Sequence, residues 1–463
     1  MKKLYPLLFI LIFQFSYSQV VNIPNAQFLH YLTNCNSVDS NGDGIYDSNA
    51  DLNNDGQIQV SEAESVLHLN ISHTGGCGIG VISDLTGLEA FVNLISFKCP
   101  GNYDYLTSID LSSNVALEIL DISRNYLSNL DISQNVNLRE LDCSESYYSL
   151  SSLDVSNNLN LEKLNLSHNL SISNLNLQSN LNLQELTCRD TSISNLDVSL
   201  NTNLKYLDAG SIDPLQQIDV SNNLLLETLM FDNNNSMQNI DVSNNTSLRR
   251  LECYSTGLTS LNLNNNNLLI RLVCSYTEIS VLNLSTNTIL QELIAEDTFI
   301  NNLDLSNLPE LSFAFINDNP NLTYLNIKNG VNPLTYGSNL VGSGMTNVPN
   351  LQFICVDNVD TNFAELLQYY HPDALVTDNC ALKTSDFKLS YLNLYPNPAA
   401  AYFKIENSDN LNIKEIELYD ISGKKLKNFS LSDQYNIDDL SSGIYFVKIK
   451  TNRSELNSKI IKL

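Results

Sequence analysis

From Leu106 the chain reads LTSIDLSSNVALEILDISRNY and then starts again, as LSNLDISQNVNLRELDCSESYYS and LSSLDVSNNLNLEKLNLSHNLS. The unit restarts at Leu127, Leu150, Ile172, Ile193, Leu215, Met237, Leu258, Ile279, Ile300 and Leu322, at spacings of 21 to 23 residues. Each unit has two halves, L-x-x-L-[DN]-[ILV]-S-x-N and L-x-x-L-x-[CLA]-x-x-[NTS]. Alternation at L-x-L turns Leu and Ile inward and the intervening residues outward, which is the period of a strand. One unit cannot bury its apolar row alone, whereas stacked coils bury a continuous one. The expected fold is therefore mostly β: a right-handed parallel solenoid with two short parallel strands per coil.

The Asn that closes the first half recurs as Asn114, Asn135, Asn158, Asn180, Asn201, Asn223, Asn245, Asn266 and Asn287, until Leu308 breaks the ladder. An inward Asn satisfies turn backbone of its own and neighbouring coils that stacking would otherwise bury unpaired. Five of the nine cysteines, Cys99, Cys143, Cys188, Cys253 and Cys274, share one inward position, where a thiol acts as a small hydrophobe.

This pattern resembles the leucine-rich-repeat family, in its bacterial 21-residue class with a nested L-x-x-L-D-L half, from about Leu94 to Lys328. The resemblance implies the solenoid fold and a binding role. It does not name the ligand, since the family takes proteins, glycans and peptides alike.

Met1-Lys2-Lys3, an apolar run from Leu4 to Phe15 and Ser16-Tyr17-Ser18 before Gln19 read as a signal peptide over residues 1–18. The run falls short of the roughly 20 residues that a membrane span needs, and no later stretch matches it, so no transmembrane helix is expected in the mature chain. There are 51 Asp+Glu against 24 Lys+Arg, a net charge of −27. Residues 386–463 hold 11 basic and 10 acidic residues, so all of the excess lies in the body before them. Such a body repels nucleic acid and anionic membrane and attracts cations.

Residues 19–90 form an N-terminal cap. Its IPNAQFLHYLTNC stretch predicts an amphipathic helix, and Asp51 to Glu62 fit D-x-[DN]-x-[DN]-G-x5-E. Asp51, Asn53, Asp55, the carbonyl of Gln57 and a bidentate Glu62 are the hard oxygen donors that calcium takes, with Gly56 at the sharp turn. Asp39, Asn41 and Asp43 begin the same pattern, with Asp47 as a further ligand, but Ala50 stands where the closing Glu belongs. The expected role is structural, fixing the cap on the first coil.

The solenoid is assigned to residues 91–345 and a C-terminal cap to 346–385, with NFAELLQYY as one short helix. Cys35 and Cys77 flank the array on one side and Cys355 and Cys380 on the other. In an exported chain each pair is a disulfide candidate.

Residues 386–463 read YLNLYPNPAAAYFKI, KEIELYDISGKKL, YNIDDLSSGIYFVKIKT and KIIKL, alternating strands that predict a small β-sandwich. Tyr395-Pro396-Asn397-Pro398, LYDISGKKL and GIYFVKI closely resemble the C-terminal sorting domain of the type IX secretion system. The resemblance implies a signal-peptide step into the periplasm, engagement of the type IX machinery, and an extracellular or outer-membrane-surface destination.

The five histidines are scattered, and no nucleophile–base or zinc motif appears, so the chain is not expected to be an enzyme. On the first halves an outward Asp or Asn recurs in nearly every coil. On the second halves the outward residues turn apolar and aromatic toward the C-terminus, giving Val273, Ile294, Phe313, Phe315 and Tyr324 as a candidate partner site. The competing reading has the terminal cap pack over them. The expected function is recognition of a protein or glycan ligand at the cell surface. The alternatives are a structural surface-layer component and an accessory subunit of a secreted hydrolase.

Overall fold

The computed structural model describes residues 19–72, 80–102, 105–330, 344–359, 361–378, 380, 392–407, 413–421, 423–451 and 455–463. The expected signal peptide and Cys77 lie outside the described residues. The chain divides into two compact units, Met1–Thr277 and Glu278–Leu463.

The first unit opens with the expected helix, Ala26–Asn34, whose N-cap Asn25 accepts from the N–H groups of Gln27 and Phe28. It buries Phe28, Tyr31 and Leu32. Ten three-residue strands then pair in parallel and in chain order: His68–Asn70, Ser96–Lys98, Ile119–Asp121, Glu140–Asp142, Lys163–Asn165, Glu185–Thr187, Tyr206–Asp208, Thr228–Met230, Arg250–Glu252 and Arg271–Val273. From Ile119 on, all are second halves of the repeat. Their central Leu residues stack in register and are buried.

The first halves of this unit are extended and form no named strand among the described residues, though Leu196 and Ile218 make an isolated parallel bridge. Each outward Asp there accepts from a Ser N–H two residues on, as Asp110 does from Ser112 at 2.9 Å, and the chain then turns. Each second half ends in a left-handed residue, from Arg124 to Tyr276, at φ between 52° and 58°. Bonds between coils hold that conformation, as when the N–H of His168 donates to the carbonyl of Arg189 at 2.8 Å.

The Asn ladder runs to the preceding coil. Asn135 Nδ2 donates to the carbonyls of Leu111 and Asn114 at 3.1 and 2.8 Å, and Asn180 to those of Val155 and Asn158 at 3.0 and 2.9 Å. The five repeat cysteines are free and buried. Burial pushes the Cys99 thiol up to about 12, so it behaves as an apolar side chain.

In the second unit, two further second halves pair as Glu292–Ile294 with Phe313–Phe315. Here the first halves Asn302–Asp304 and Tyr324–Asn326 also pair, and Phe353–Cys355 and Leu375–Thr377 of the cap residues continue them as a separate four-stranded sheet. Leu308, which replaces the ladder Asn, is fully buried. The expected cap helix is Asn362–Tyr370, N-capped by Thr361 and burying Phe363, Ala364 and Leu367. Cys355 and Cys380 form a disulfide with Cα atoms 5.7 Å apart.

The C-terminal strands are antiparallel, in sheets of three and four. Phe403, Ile416, Leu418, Ile437, Val447 and Ile460 lie in their shared core. The YPNP turn is fastened to the last strand by Asn397, whose Nδ2 donates to the carbonyl of Lys459 and whose Oδ1 accepts from the Ile461 N–H, both at 2.8 Å.

Candidate functional site

The two acidic loops of the cap fold alike. In the second, Gly56 adopts φ 80°, and its N–H donates to Asp51 Oδ2 at 2.8 Å. Asn53 Oδ1 accepts from Asp55, and Asp55 Oδ1 from Gln57, each at 2.9 Å. Glu62 reaches back across the loop: Oε1 accepts from the N–H groups of Leu52 and Asn53 at 2.9 and 3.1 Å, and Oε2 from Gln59 at 2.9 Å. In the first loop, Asp39 accepts from Asn41, Gly42 and Gly44, and Ser40 Oγ donates to Asp47. Burial raises the Asp39 pKa, but the N–H groups of Gly44, Gly42 and Asn41 outweigh it and hold the carboxyl below its usual range.

Asp51 and Glu62 are buried, and no Lys or Arg pairs with either among the described residues. Buried carboxylates are ordinarily paired or bound to metal. No three Asp, Glu, His or Cys side chains among the described residues converge closely enough to form a metal centre by themselves. The oxygen types and their order nevertheless fit a hard cation. Each ionised carboxylate oxygen that accepts one N–H keeps a second lone pair.

The expected partner stripe divides. Ile294 lies opposite Phe315, and Phe313 packs edge-to-face on Phe315 with centroids 4.6 Å apart, all three half-buried. Tyr324 does not join them. It belongs to the separate sheet of first halves, beside Asn302 and Phe353, and is buried. LTYLNIKN is a first half of the repeat, so its outward residues face a different way from those of Phe313–Phe315. Asn326, on the same strand, lies beside Asp304. Val273, in the first unit, is also buried, so it offers little surface. Elsewhere on the first unit's sheet the outward charges pair internally: Lys163 lies 3.5 Å from Glu140 and 3.6 Å from Glu185, and Arg250 and Arg271 both meet Glu252.

Two features escape the sequence reading. One is a buried ion cluster in which Arg189 grips Asp208 and Asp232. Its signal is a single repeat column that holds Arg189, Gly210 and Asp232 on successive coils. The other is a row of exposed aliphatic side chains at the position after the ladder Asn: Val115, Val136, Leu159, Leu181 and Leu224. Reading that column, which alternation alone does not single out, would have found it.

Residues 393–463 match the family of secretion system C-terminal sorting domains. Among solved structures, the functional domain of InlJ from Listeria monocytogenes, which includes a cysteine ladder, is 20% identical, with a TM-score of 0.52. The match covers 88% of this chain and 93% of the listerial one. An internalin, InlF, from the same bacterium is 22% identical over 70% of this chain and 89% of its own, with a TM-score of 0.51. No curated protein matches the sequence. The stacked parallel coils and the internalin likeness give the fold, the tail gives the export route, and together they make this chain a leucine-rich-repeat solenoid carrying a type IX secretion sorting domain.

Proposed function

We propose that the chain works outside the cell as a non-catalytic recognition protein, engaging a protein or glycan ligand. The observation that carries this is the open apolar patch of Ile294, Phe313 and Phe315 on the Glu292–Ile294 and Phe313–Phe315 strands. Rigid aromatic side chains left partly in water on a sheet face are the type that becomes buried on a partner. The sorting domain supports delivery to the cell surface or beyond. The test is binding of the full chain to an array of purified surface proteins and glycans, compared with an Ile294→Ala/Phe315→Ala variant. The expected result is saturable binding that the double variant weakens about tenfold or more with its melting temperature little changed. If the variant unfolds while any binding signal stays the same, the patch is packing and the reading fails.

We further propose that Asp51, Asn53, Asp55, Glu62 and the Gln57 carbonyl hold calcium, with Asp39, Asn41, Asp43 and Asp47 as a weaker second site. The ion would supply charge compensation for the buried Asp51 and Glu62 carboxylates and cross-link the loop to the Val60–Ala63 helix, with no chemistry beyond that. Titration calorimetry with calcium should show binding heat, and EGTA should lower the melting temperature. Glu62→Gln should remove most of the heat and make the melt insensitive to EGTA. Glu62 also accepts loop N–H groups, so only the difference between calcium and EGTA counts. No heat and identical melts would rule the site out.

A further inference from the structure

Five aliphatic side chains, Val115, Val136, Leu159, Leu181 and Leu224, occupy the same position on the first unit's coils and are between 48% and 55% exposed. The one coil that interrupts them carries Thr202 there, with Leu200 exposed two residues earlier. Coils stack about 4.8 Å apart, so the row is a ridge about 24 Å long. Isolated exposed Leu residues are ordinary, but a contiguous ridge is not.

Five residues before each member of the ridge stands the outward polar row: Asp110, Asp131, Asp154, Asn176, Asp197 and Asp219, all exposed. None of these carboxylates forms an ion pair among the described residues. The Ser two residues on hydrogen-bonds each Asp and holds it below the usual carboxylate range, so the row is fully charged at neutral pH. On the other flank Arg139 pairs with Glu118 and Glu162, and the one further cation of that column along the ridge, Lys205, donates to Gln184, so neither reaches the Asp row. The ridge is thus an apolar strip with an uncompensated anionic border.

That border selects the occupant. A second copy would set one carboxylate row against another, in a chain of net charge −27, and an anionic membrane or glycan is repelled likewise. Aliphatic side chains also lack the aromatic faces on which sugars stack. A cationic polypeptide satisfies both features, and the spacing favours a helix. Helical turns repeat every 5.4 Å or so, close to the coil rise, whereas same-face residues of a strand recur at about 6.7 Å.

We propose that the Val115–Leu224 ridge and its Asp border are a docking surface for a basic amphipathic helix of about 16 residues, the length that spans the ridge. The surface is separate from the Ile294–Phe315 patch and does not depend on it.

The experiment measures fluorescence anisotropy of a labelled Leu/Lys peptide with helical periodicity. Its controls are a scrambled peptide of the same composition and a Leu/Glu version, each titrated with the full chain. The intact chain should bind the periodic peptide saturably and at least about tenfold more tightly than the scrambled one. Leu159→Ser/Leu181→Ser should lose about tenfold, as should Asp131→Asn/Asp154→Asn, the latter with a shallower salt dependence. These sites are exposed, and unchanged melting temperatures confirm that folding is intact. Equal binding of periodic and scrambled peptides, or no effect of the Leu pair, would reduce the interaction to charge attraction and overturn the proposal. Sedimentation showing self-association that Leu159→Ser/Leu181→Ser abolishes would also overturn it, in favour of a second copy.

Discussion

Arg189→Met is expected to destabilise the solenoid by about 3–5 kcal/mol, the cost of leaving a buried carboxylate without its partner. The guanidinium holds Asp232 with two bonds, at 2.9 and 2.6 Å, and reaches Asp208 at 3.0 Å, so one side chain ties three successive coils. Asp232 is fully buried and has no route to water. Hydrogen bonding to Asp232 raises the Arg189 pKa against the opposing effect of burial, so the cation is fixed. To reach Asp232 the arginine crosses the coil between them at Gly210. A Cβ there would lie 2.4 Å from a guanidinium nitrogen, so Gly210→Ala should also expel the arginine. Urea unfolding followed by circular dichroism measures both. Adding Asp232→Asn to Arg189→Met should recover part of the loss, because the amide carries no charge. A cost below about 1 kcal/mol would place the cluster with ordinary surface pairs and refute its structural role.

Asn158→Ala should cost about 1–3 kcal/mol. Its Nδ2 donates to the carbonyls of Ile132 and Asn135 at 3.2 and 2.9 Å, and the side chain is fully buried. Each carbonyl also accepts a backbone N–H, from Asn135 and Leu138, so truncation removes a second hydrogen bond from each, worth about 0.5–1.5 kcal/mol apiece. Coils are coupled mainly to their nearest neighbours, so the damage should be local. Hydrogen exchange should accelerate around residues 132–158 before distant coils respond. An exposed control, Asn157→Ala, gives up one bond to the Ser133 carbonyl at 3.3 Å and should cost little. If the two variants unfold alike, the ladder contributes no more than a surface hydrogen bond.

What was legible in the sequence was whatever repeats or acts locally. The period of two along each L-x-L sends Leu141, Leu164 and Leu186 inward whatever the coils do next, and the recurring Asn and Cys columns follow them. The cap helices announce themselves by Asn25 and Thr361, and the sorting domain by short motifs whose contacts, such as those of Asn397, lie within one module. That the two acidic loops fold alike was legible because their carboxylates and the N–H groups they accept from sit within a dozen residues of one another.

Tertiary structure decided what depends on lateral contacts between coils. Which half of a coil forms the hydrogen-bonded ladder differs between the units although the motif does not: Asp304 makes the same turn with Ser306 that Asp110 makes with Ser112, yet its strand is paired. Tyr324 changed faces because alternation fixes inside against outside and cannot say onto which side of the coil an outward residue falls. Arg189 finds Asp232 43 residues away. Coil lengths of 21 to 23 residues leave such columns offset in sequence, and only stacking brings them into line. The apolar ridge arises in the same way. Each Val or Leu is an unremarkable exposed side chain in its own turn and becomes a surface when the coils are superposed.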